Sequence, residues 1–158
     1  MIEVLLDNIR SIYNVGAIFR TCDGIGINHI HICGITPTPD HPKIAKTSLG
    51  AETATTWTQH WNALELVEHK KKSGHQIWAL EIAPGAESLL KIEPLEEGLP
   101  ILLIIGNENT GIDHQILDFA DKIISIPMVG IKESLNVSIA FGIAAFFLQH
   151  NTRINHAE

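Results

Sequence analysis

Short apolar runs alternate with helix-like periodicity along this chain. Five runs of apolar or alternating residues predict β-strands, at 2–6, 29–33, 76–82, 101–105 and 122–126. Apolar residues at helical spacing predict helices at 14–23, 61–72, 113–119 and 136–150, with a short further helix after residue 43. Prolines and glycines predict irregular segments at 36–42 and 83–98. The alternation predicts an α/β fold in which helices cover both faces of a parallel sheet.

Two of the predicted helices carry further expectations. Helix 61–72 is expected to bury Leu64 and Val67, and whether it also buries Trp61 is left open. Helix 136–150 has almost no polar face over 139–148, and a helix that is apolar all round must be buried on all sides. One small domain can hardly cover it, so we predict a homodimer. A core helix of a monomer is the alternative, whereas a membrane span would need about twice this apolar length.

Three polar clusters follow predicted strands. Gly106–Gly111 comes directly after the run 101–105, Asn14-Val15-Gly16 precedes Arg20, and Ile126-Pro127-Met128 is followed by Ser134–Ser138. In open α/β sheets, ligands bind at the carboxyl ends of the strands. The three clusters therefore predict one composite site, and an enzyme.

Each cluster alone also has a purely structural interpretation. Arg20 suits a surface salt bridge, Glu108 could cap the following helix, and Asn14 is either helical or an N-cap. One of Ser134, Asn136 and Ser138 would cap the last helix whatever the function. The glycines of 106–111 match neither a Walker loop nor a dinucleotide fingerprint.

Composition limits the class of protein. A length of 158 residues predicts one domain, and residues 1–6 do not resemble a signal peptide. The net charge of −7 argues against a nucleic-acid binder, although a local basic face can exist on an acidic protein. Cys22 and Cys33 form no CxxC pair, which favours a reducing cytoplasm, and the nine histidines form no metal-ligand motif. We therefore expect a cytoplasmic protein with no metal and no membrane partner.

The three clusters together resemble a known family. Asn14-x-Gly16-x-x-x-Arg20-Thr21, then Ile105-Gly106-Asn107-Glu108-x-x-Gly111, then Ile126-Pro127-Met128 with Ser134-Leu135-Asn136-Val137-Ser138-x-Ala140, are similar in order and spacing to the motifs of the SpoU family. These are the TrmH-like members of the SPOUT RNA methyltransferases. Lys46–Ala51 also resembles the family's segment after the second strand. The resemblance covers nearly the whole chain.

The resemblance implies methylation of a ribose 2'-hydroxyl in RNA by S-adenosylmethionine, a deep trefoil knot at the C-terminal end of the α/β domain, and a homodimer. By their position relative to the motifs, the residues that would line the cofactor site are Leu80, Glu81, Gly106, Ile126, Met128, Ser134 and Leu135. The catalytic residues would be Arg20, Asn14, Glu108, Ser134 and Asn136.

Arg20 is the matching residue often described as the base of the reaction. A guanidinium with a pKa above about 12 is a poor base at neutral pH. We therefore expect Arg20 to hold a phosphate and to stabilise developing alkoxide charge. The role of base stays the alternative.

Substrate and partners are less specified. We expect a single domain over 1–158 without an additional RNA-binding domain, so that RNA binds the dimer's own surface through Arg10, Lys43, Lys46 and Lys132. A compact tRNA is favoured over ribosomal RNA. Two other functions stay open: an inactive RNA-binding subunit of this fold, and a small-molecule α/β enzyme.

Overall fold

The fold is built on one sheet of seven parallel strands. A computed structural model describes residues 1–151. The strands are β1 (Ile2–Asp7), β2 (His29–Cys33), β3 (Thr56–His60), β4 (Gln76–Leu80), β5 (Glu87–Ser88), β6 (Ile101–Ile105) and β7 (Lys122–Ser125). Their order across the sheet is β3-β2-β1-β6-β4-β7-β5. The predicted parallel sheet is confirmed, and the apolar run at 101–105 is its central strand.

Within residues 1–151, five α-helices and one 3-10 turn lie between strands, and a sixth helix follows β7. They are α1 (Ile12–Ile25), α2 (Ala45–Ser48), α3 (Ala51–Ala54), α4 (Ala63–Lys72), the turn Leu89–Lys91, α5 (His114–Leu117) and α6 (Val137–His150). Side chains cap four of the helices, because each accepts hydrogen bonds from otherwise unpaired amides of the first turn. These N-caps are Ser11, Asn62, Asp113 and Asn136. Asn14 is therefore helical, and Asn136 is the cap of the last helix.

Helices pack on both faces of the sheet, as the pattern predicted. On one face α1 and α6 cover an apolar cluster that includes Phe19, Trp78 and Phe141. On the other face α4 and α5 cover a smaller cluster that includes Val67 and Ile116. Side chains of β6 alternate between these two clusters, and all five of its residues are buried.

A polar network replaces apolar packing at the outer part of the second face. Glu3 on β1 accepts a hydrogen bond from His31 at 2.7 Å and pairs with Lys70 at the end of α4. Burial raises the pKa of Glu3, but the bonds from His31 and Lys70 outweigh it and lower that pKa to about 2. Burial lowers the pKa of His31 to about 4, so this imidazole is neutral at pH 7. Lys70 is therefore the charged partner of Glu3.

The region 56–72 differs from the sequence prediction in two places. β3 was not predicted, because its residues are mostly polar and none of them is buried. Its extended conformation comes from pairing along its whole length with β2. Trp61 lies outside α4, before the cap Asn62, and is exposed, so it is not on the buried side of that helix. Val67 is buried as predicted, together with Ala63 and Leu66, and Leu64 is partly buried.

The last helix is only half covered within one chain. Phe141, Ala144, Ala145 and Leu148 are buried against the sheet and α1. A stripe of large apolar side chains on the same helix stays exposed, namely Ile139, Ile143 and Phe146. Within a single chain, α6 is therefore not buried on all sides. None of the described helices is long and apolar enough to cross a membrane.

Candidate active site

The three polar clusters meet at the carboxyl edge of the sheet. β1 and β6 are neighbours there, so the loop before α1 lies beside the loop after β6. β4 pairs with the other side of β6 and with β7, which brings Glu81 and the segment after residue 125 to the same edge. Residues separated by more than 90 positions in the chain are thereby brought into contact.

Glu108 holds the start of α1. Its carboxylate accepts hydrogen bonds from the backbone amides of Arg10 at 2.8 Å and Ser11 at 3.0 Å, and from the Asn14 Nδ2 at 3.1 Å. Burial raises the pKa of Glu108, but these donors outweigh it, and the pKa lies below its ordinary value. Glu108 is therefore a carboxylate at neutral pH, with its oxygens engaged by donors.

Asn14 connects this carboxylate to the last helix. While its Nδ2 donates to Glu108, its Oδ1 accepts a hydrogen bond from the Nδ2 of Asn136 at 3.2 Å. The Oδ1 of Asn136 in turn accepts from the amide and hydroxyl of Ser138 at 2.9 and 2.7 Å. The chain Glu108–Asn14–Asn136 fixes the two amide side chains, because each has a definite donor and acceptor role.

The loop after β6 is held in shape from both sides. Asn107 accepts hydrogen bonds from the amides of Asn109 and Thr110, and its Nδ2 donates to the carbonyl of Asn8 at 2.7 Å. Gly111 has a φ of +72°, which favours glycine, and the next amide, of Ile112, donates to Glu81 at 2.9 Å. The loop can therefore present backbone groups to a ligand with little freedom to move.

Gly106 sits where the backbone comes closest. A Cβ at this position would lie 2.6 Å from the carbonyl carbon of Gly111 and from the nitrogen of Ile112. Only glycine fits between β6 and its own returning loop.

A cavity of about 410 Å³ opens between these loops. Its volume is within the range of small-molecule sites, about 300–1,000 Å³. It is lined from four segments, namely 80–82, 105–111, 125–128 and 134–140. Among residues 1–151, no group of three or more His, Cys, Asp or Glu side chains is arranged to hold a metal ion.

Comparison with known proteins places the chain in a family. A model of the SpoU rRNA Methylase family matches residues 1–146. The chain belongs to this family. It is 30% identical over 148 residues to the tRNA (guanosine(18)-2'-O)-methyltransferase of Thermus thermophilus, covering 94% of this chain and 74% of that enzyme. The resemblance found in the three motifs is confirmed.

Solved structures of the family have the same fold. The TrmH/SpoU tRNA modifying enzyme of A. aeolicus has a TM-score of 0.84 at 28% identity, over 95% of this chain and 74% of that one. An AdoMet-bound rRNA methyltransferase from Sinorhizobium meliloti has a TM-score of 0.85 at 28% identity, over 94% of this chain and 55% of that one. This SpoU family member therefore spans 55% to 74% of the chains of these relatives.

The structure brings most of the predicted site residues of this SpoU family member together. All seven residues expected around the cofactor line the cavity: Leu80, Glu81, Gly106, Ile126, Met128, Ser134 and Leu135. Glu108 and Asn136 line it too, and Asn14 is bonded to both. Their roles stay predictions, since the geometry gives proximity and not activity.

Arg20 is the exception. It lies six residues after Asn14, about 9 Å further along the axis of α1, and is exposed. None of the salt bridges found within residues 1–151 involves it. Within one protomer, Arg20 is not part of the cluster around Glu108.

Sequence reasoning missed two residues that shape the site, Ser11 and Asn8, and assigned no role to a third, Asn107, which its motif contained. Ser11 caps α1, and Asn107 and Asn8 join the loops of β6 and β1. The Ser11 cap had a usable signal, a serine directly before an apolar helical repeat. Asn8 adopts a left-handed φ of +54°, a conformation that asparagine tolerates better than most residues. An asparagine directly after a predicted strand was therefore a usable signal for a turn at this position.

Proposed function

We propose that this chain transfers a methyl group from S-adenosylmethionine to a ribose 2'-hydroxyl of RNA, with tRNA as the favoured substrate. The observation that carries the proposal is the hydrogen-bonded chain Glu108–Asn14–Asn136 beside a cavity of small-molecule size. Relatives support it, since one is named a tRNA 2'-O-methyltransferase and another was solved with AdoMet bound. Ribosomal RNA is the second candidate, because the latter relative is an rRNA methyltransferase.

The lining of the cavity suits this cofactor. Leu80, Ile126 and Leu135 supply apolar walls for a nucleobase, while Glu81 and Ser134 supply polar groups. The absent side chain at Gly106 lets a ligand approach the backbone. When bound, S-adenosylmethionine supplies a methyl group already activated by a sulfonium. The seven predicted lining residues are the proposed binding set.

The protein's part in the reaction is mainly orientation. Glu108 is ionised and already accepts three hydrogen bonds, so it positions Asn14 and does not exchange a proton with the ribose. Asn14 and Asn136 then present fixed amide groups next to the cavity, and Ser134 adds a hydroxyl to its lining; these groups would orient the 2'-hydroxyl. Holding two reactants in a productive geometry is worth several orders of magnitude in rate.

A homodimer fits the uncovered side of α6. Ile139, Ile143 and Phe146 lie at helical spacing on one stripe and are exposed in the single chain. Phe146 also lines an apolar groove with Thr21 and Ile25 of α1. Contiguous apolar surface of this kind marks an interaction site. A second copy of this chain is the occupant that we propose, and sedimentation velocity at micromolar concentration would detect it.

In the proposed dimer, Arg20 would complete the site of the partner protomer. Arg20 is adjacent to Thr21, which lines the apolar groove, and no hydrogen bond or salt bridge within residues 1–151 joins its side chain to its own cluster. Its guanidinium would hold an RNA phosphate and stabilise charge on the 2'-oxygen. Lysine lacks the bidentate geometry, so Arg20→Lys should lose most of the activity.

Mixing two inactive variants tests this arrangement. If Arg20 acts across the dimer, mixed dimers of Arg20→Ala and Asn14→Ala protomers hold one intact site and regain activity. If Arg20 acts within its own protomer, both sites of the mixed dimer stay defective. Absence of recovery in dimers shown to have exchanged subunits would contradict the arrangement.

We also infer that the chain after β7 forms the trefoil knot of the family and that the protein is cytoplasmic. The knot is supported by the end of α6, where the side chain of Asn151 donates to the carbonyl of Ile92 and its backbone carbonyl accepts from Leu95 at 2.7 Å. The helix end is thus held by the segment that precedes β6. Single-molecule pulling from both termini tests for the knot. The tightened knot would make the fully stretched chain shorter than the about 3.5 Å per residue of an unknotted chain. The location is supported by two free, buried cysteines.

The reaction is tested by methyl transfer from labelled S-adenosylmethionine to unmodified tRNA, with ribosomal RNA in parallel. We expect a 2'-O-methyl nucleoside from the tRNA, identified by mass spectrometry, and loss of the product with Asn136→Ala. Cofactor binding without transfer to either RNA would contradict the proposal and favour a small-molecule acceptor.

A further inference from the structure

Trp61 is a large aromatic residue exposed to solvent at the carboxyl edge of the sheet, the edge that also carries the site. Its side chain is 85% exposed, in the connection between β3 and α4. Its backbone is fixed on both sides. The carbonyl of His60 accepts the amide of Gly34 at 3.2 Å, and Asn62 caps α4 through the amides of Leu64 and Glu65. The backbone at Trp61 is therefore fixed while its indole is free to meet a partner, and a large amphipathic ring of this kind is typical of contact surfaces.

The loop of Trp61 belongs to a row of joined loops that begins at the catalytic cluster. Asn107, after β6, donates to the carbonyl of Asn8, after β1. Asn8 accepts through its Oδ1 from the amide of Ile35, after β2, at 3.0 Å. The bond between Gly34 and His60 then reaches the loop after β3. The row follows the strand order β6-β1-β2-β3 along one edge of the sheet.

The length of this row suits a few nucleotides of RNA. β3 is three strand spacings from β6, about 14 Å. Ile35, which is 66% exposed, lies in the neighbouring loop after β2. Arg10, Lys43 and Lys46 are exposed along the same edge, and Lys46 is next to Thr47, which donates to the carbonyl of Tyr13 in the first turn of α1.

These residues combine the two features that bind single-stranded nucleic acid. Cations follow the backbone, and an aromatic face stacks an unpaired base of any sequence. Two exposed carboxylates lie close to this row in sequence, Asp40 between β2 and α2 and Glu65 in the first turn of α4, and the three cations outnumber them. An isolated exposed apolar residue needs no explanation, but this one ends a row of hydrogen-bonded loops that begins at the site and carries three exposed cations.

We propose that Trp61 stacks an unpaired base of the substrate RNA, a few nucleotides from the ribose that is methylated. The inference rests on the proposed function, since it requires an RNA substrate. It adds a specificity element: the substrate must offer an unstacked base at a fixed distance from the target. Fully paired RNA would therefore be a poor substrate.

The test compares Trp61→Ala and Trp61→Phe with Leu90→Ala. Leu90 is a suitable control because it is 71% exposed and lies in the 3-10 turn at the opposite end of the sheet, next to β5. For Trp61→Ala, we expect the Kd and the KM for unmodified tRNA to rise at least about fivefold. The affinity for S-adenosylmethionine and the melting temperature should not change. Trp61→Phe should keep most of the affinity, and Leu90→Ala all of it.

Fluorescence gives a second reading that a merely structural role would not produce. Stacking on an indole should quench wild-type emission when RNA binds, and Trp61→Phe should remove that quenching although Trp57 and Trp78 remain. The inference would be overturned if Trp61→Ala bound RNA with the same Kd as the wild type, or if the quenching persisted in Trp61→Phe. The proposed function would still hold in that case, as long as the wild-type protein methylates the RNA. A sedimentation change in Trp61→Ala would overturn it in favour of a protein contact. Failure of the wild type to bind any RNA would refute both.

Discussion

The substitution Glu108→Gln tests whether a carboxylate organises the site. Glutamine has almost the same shape but a single oxygen, whereas Glu108 uses both oxygens to accept from Arg10, Ser11 and Asn14. One of the two backbone amides would therefore face an NH₂ group. The remaining bonds would lose their charge assistance.

The magnitude follows from those bonds. Hydrogen bonds to a charged group contribute about 1.5–3 kcal/mol, and this carboxylate is partly exposed, so we expect a loss of about 2 kcal/mol. In a chain of this size, that lowers Tm by roughly 4–8 °C. If the same free energy is lost from the positioning of Asn14, kcat/KM for methyl transfer falls about 30-fold.

The dependence on pH gives an independent check. The pKa of Glu108 is lowered in the folded protein, because the bonds to its carboxylate outweigh burial. A group of this kind stabilises the fold fully above its unfolded pKa, and the contribution is lost as the pH falls through the folded pKa. The difference in unfolding free energy between wild type and Glu108→Gln should therefore be largest near pH 7 and shrink below about pH 4.5.

Urea unfolding and steady-state methyl transfer measure the two effects, with Glu97→Gln as the control because Glu97 is an exposed carboxylate. The control should stay within about 0.5 kcal/mol of wild type. A Glu108→Gln protein with wild-type stability and kcat/KM within about twofold would refute the organising role of the carboxylate.

Three further substitutions test other parts of the structure. Gly106→Ala should weaken cofactor binding at least about tenfold, measured by calorimetry, since overpacking against fixed backbone costs about 1–3 kcal/mol. The control Gly24→Ala, where a Cβ meets open space, should not weaken it. Equal affinities of the two variants would contradict the tight turn at Gly106. Phe146→Asp should convert a dimer to a folded monomer in sedimentation velocity, because it places a charge on a side chain that is 56% exposed in the apolar stripe; a dimer that persists would locate the interface elsewhere. Glu3→Gln should destabilise the protein above pH 4.5, and its difference from wild type should vanish as the pH falls towards 2. The reason is that the bonds from His31 and Lys70 outweigh burial and lower the folded pKa of Glu3 to about 2. Thermal melts of wild type and variant that differ equally at all pH values would contradict this.

Local patterns gave much of the architecture. The apolar run at 101–105 is a central strand and the helix-like repeats at 14–23 and 136–150 are helices, because a segment's own periodicity determines which face it can bury. The strand Thr56–His60 could not be predicted in this way. Its side chains are mostly polar, and its conformation depends on the hydrogen bonds that β2 offers.

The residues of the site were recognisable in the sequence, but not their arrangement. Glu108 and Asn14 are 94 positions apart, and they meet because β1 and β6 are neighbours in the sheet. Strand order is a property of how whole layers pack, so no local pattern encodes it. The same packing keeps Arg20 out of the cluster that its motif suggested, because α1 carries it about 9 Å beyond Asn14.

The sequence by itself determined the family, the alternation of strands and helices, and the polar residues that could form a site. Only the tertiary structure decided which of those residues meet, which side chains stay in solvent, and that Trp61 ends a braced row of loops. The physical reason is range. Periodicity, capping and turn preferences act over a few neighbouring residues, whereas contact and exposure depend on the packing of segments that the chain keeps far apart.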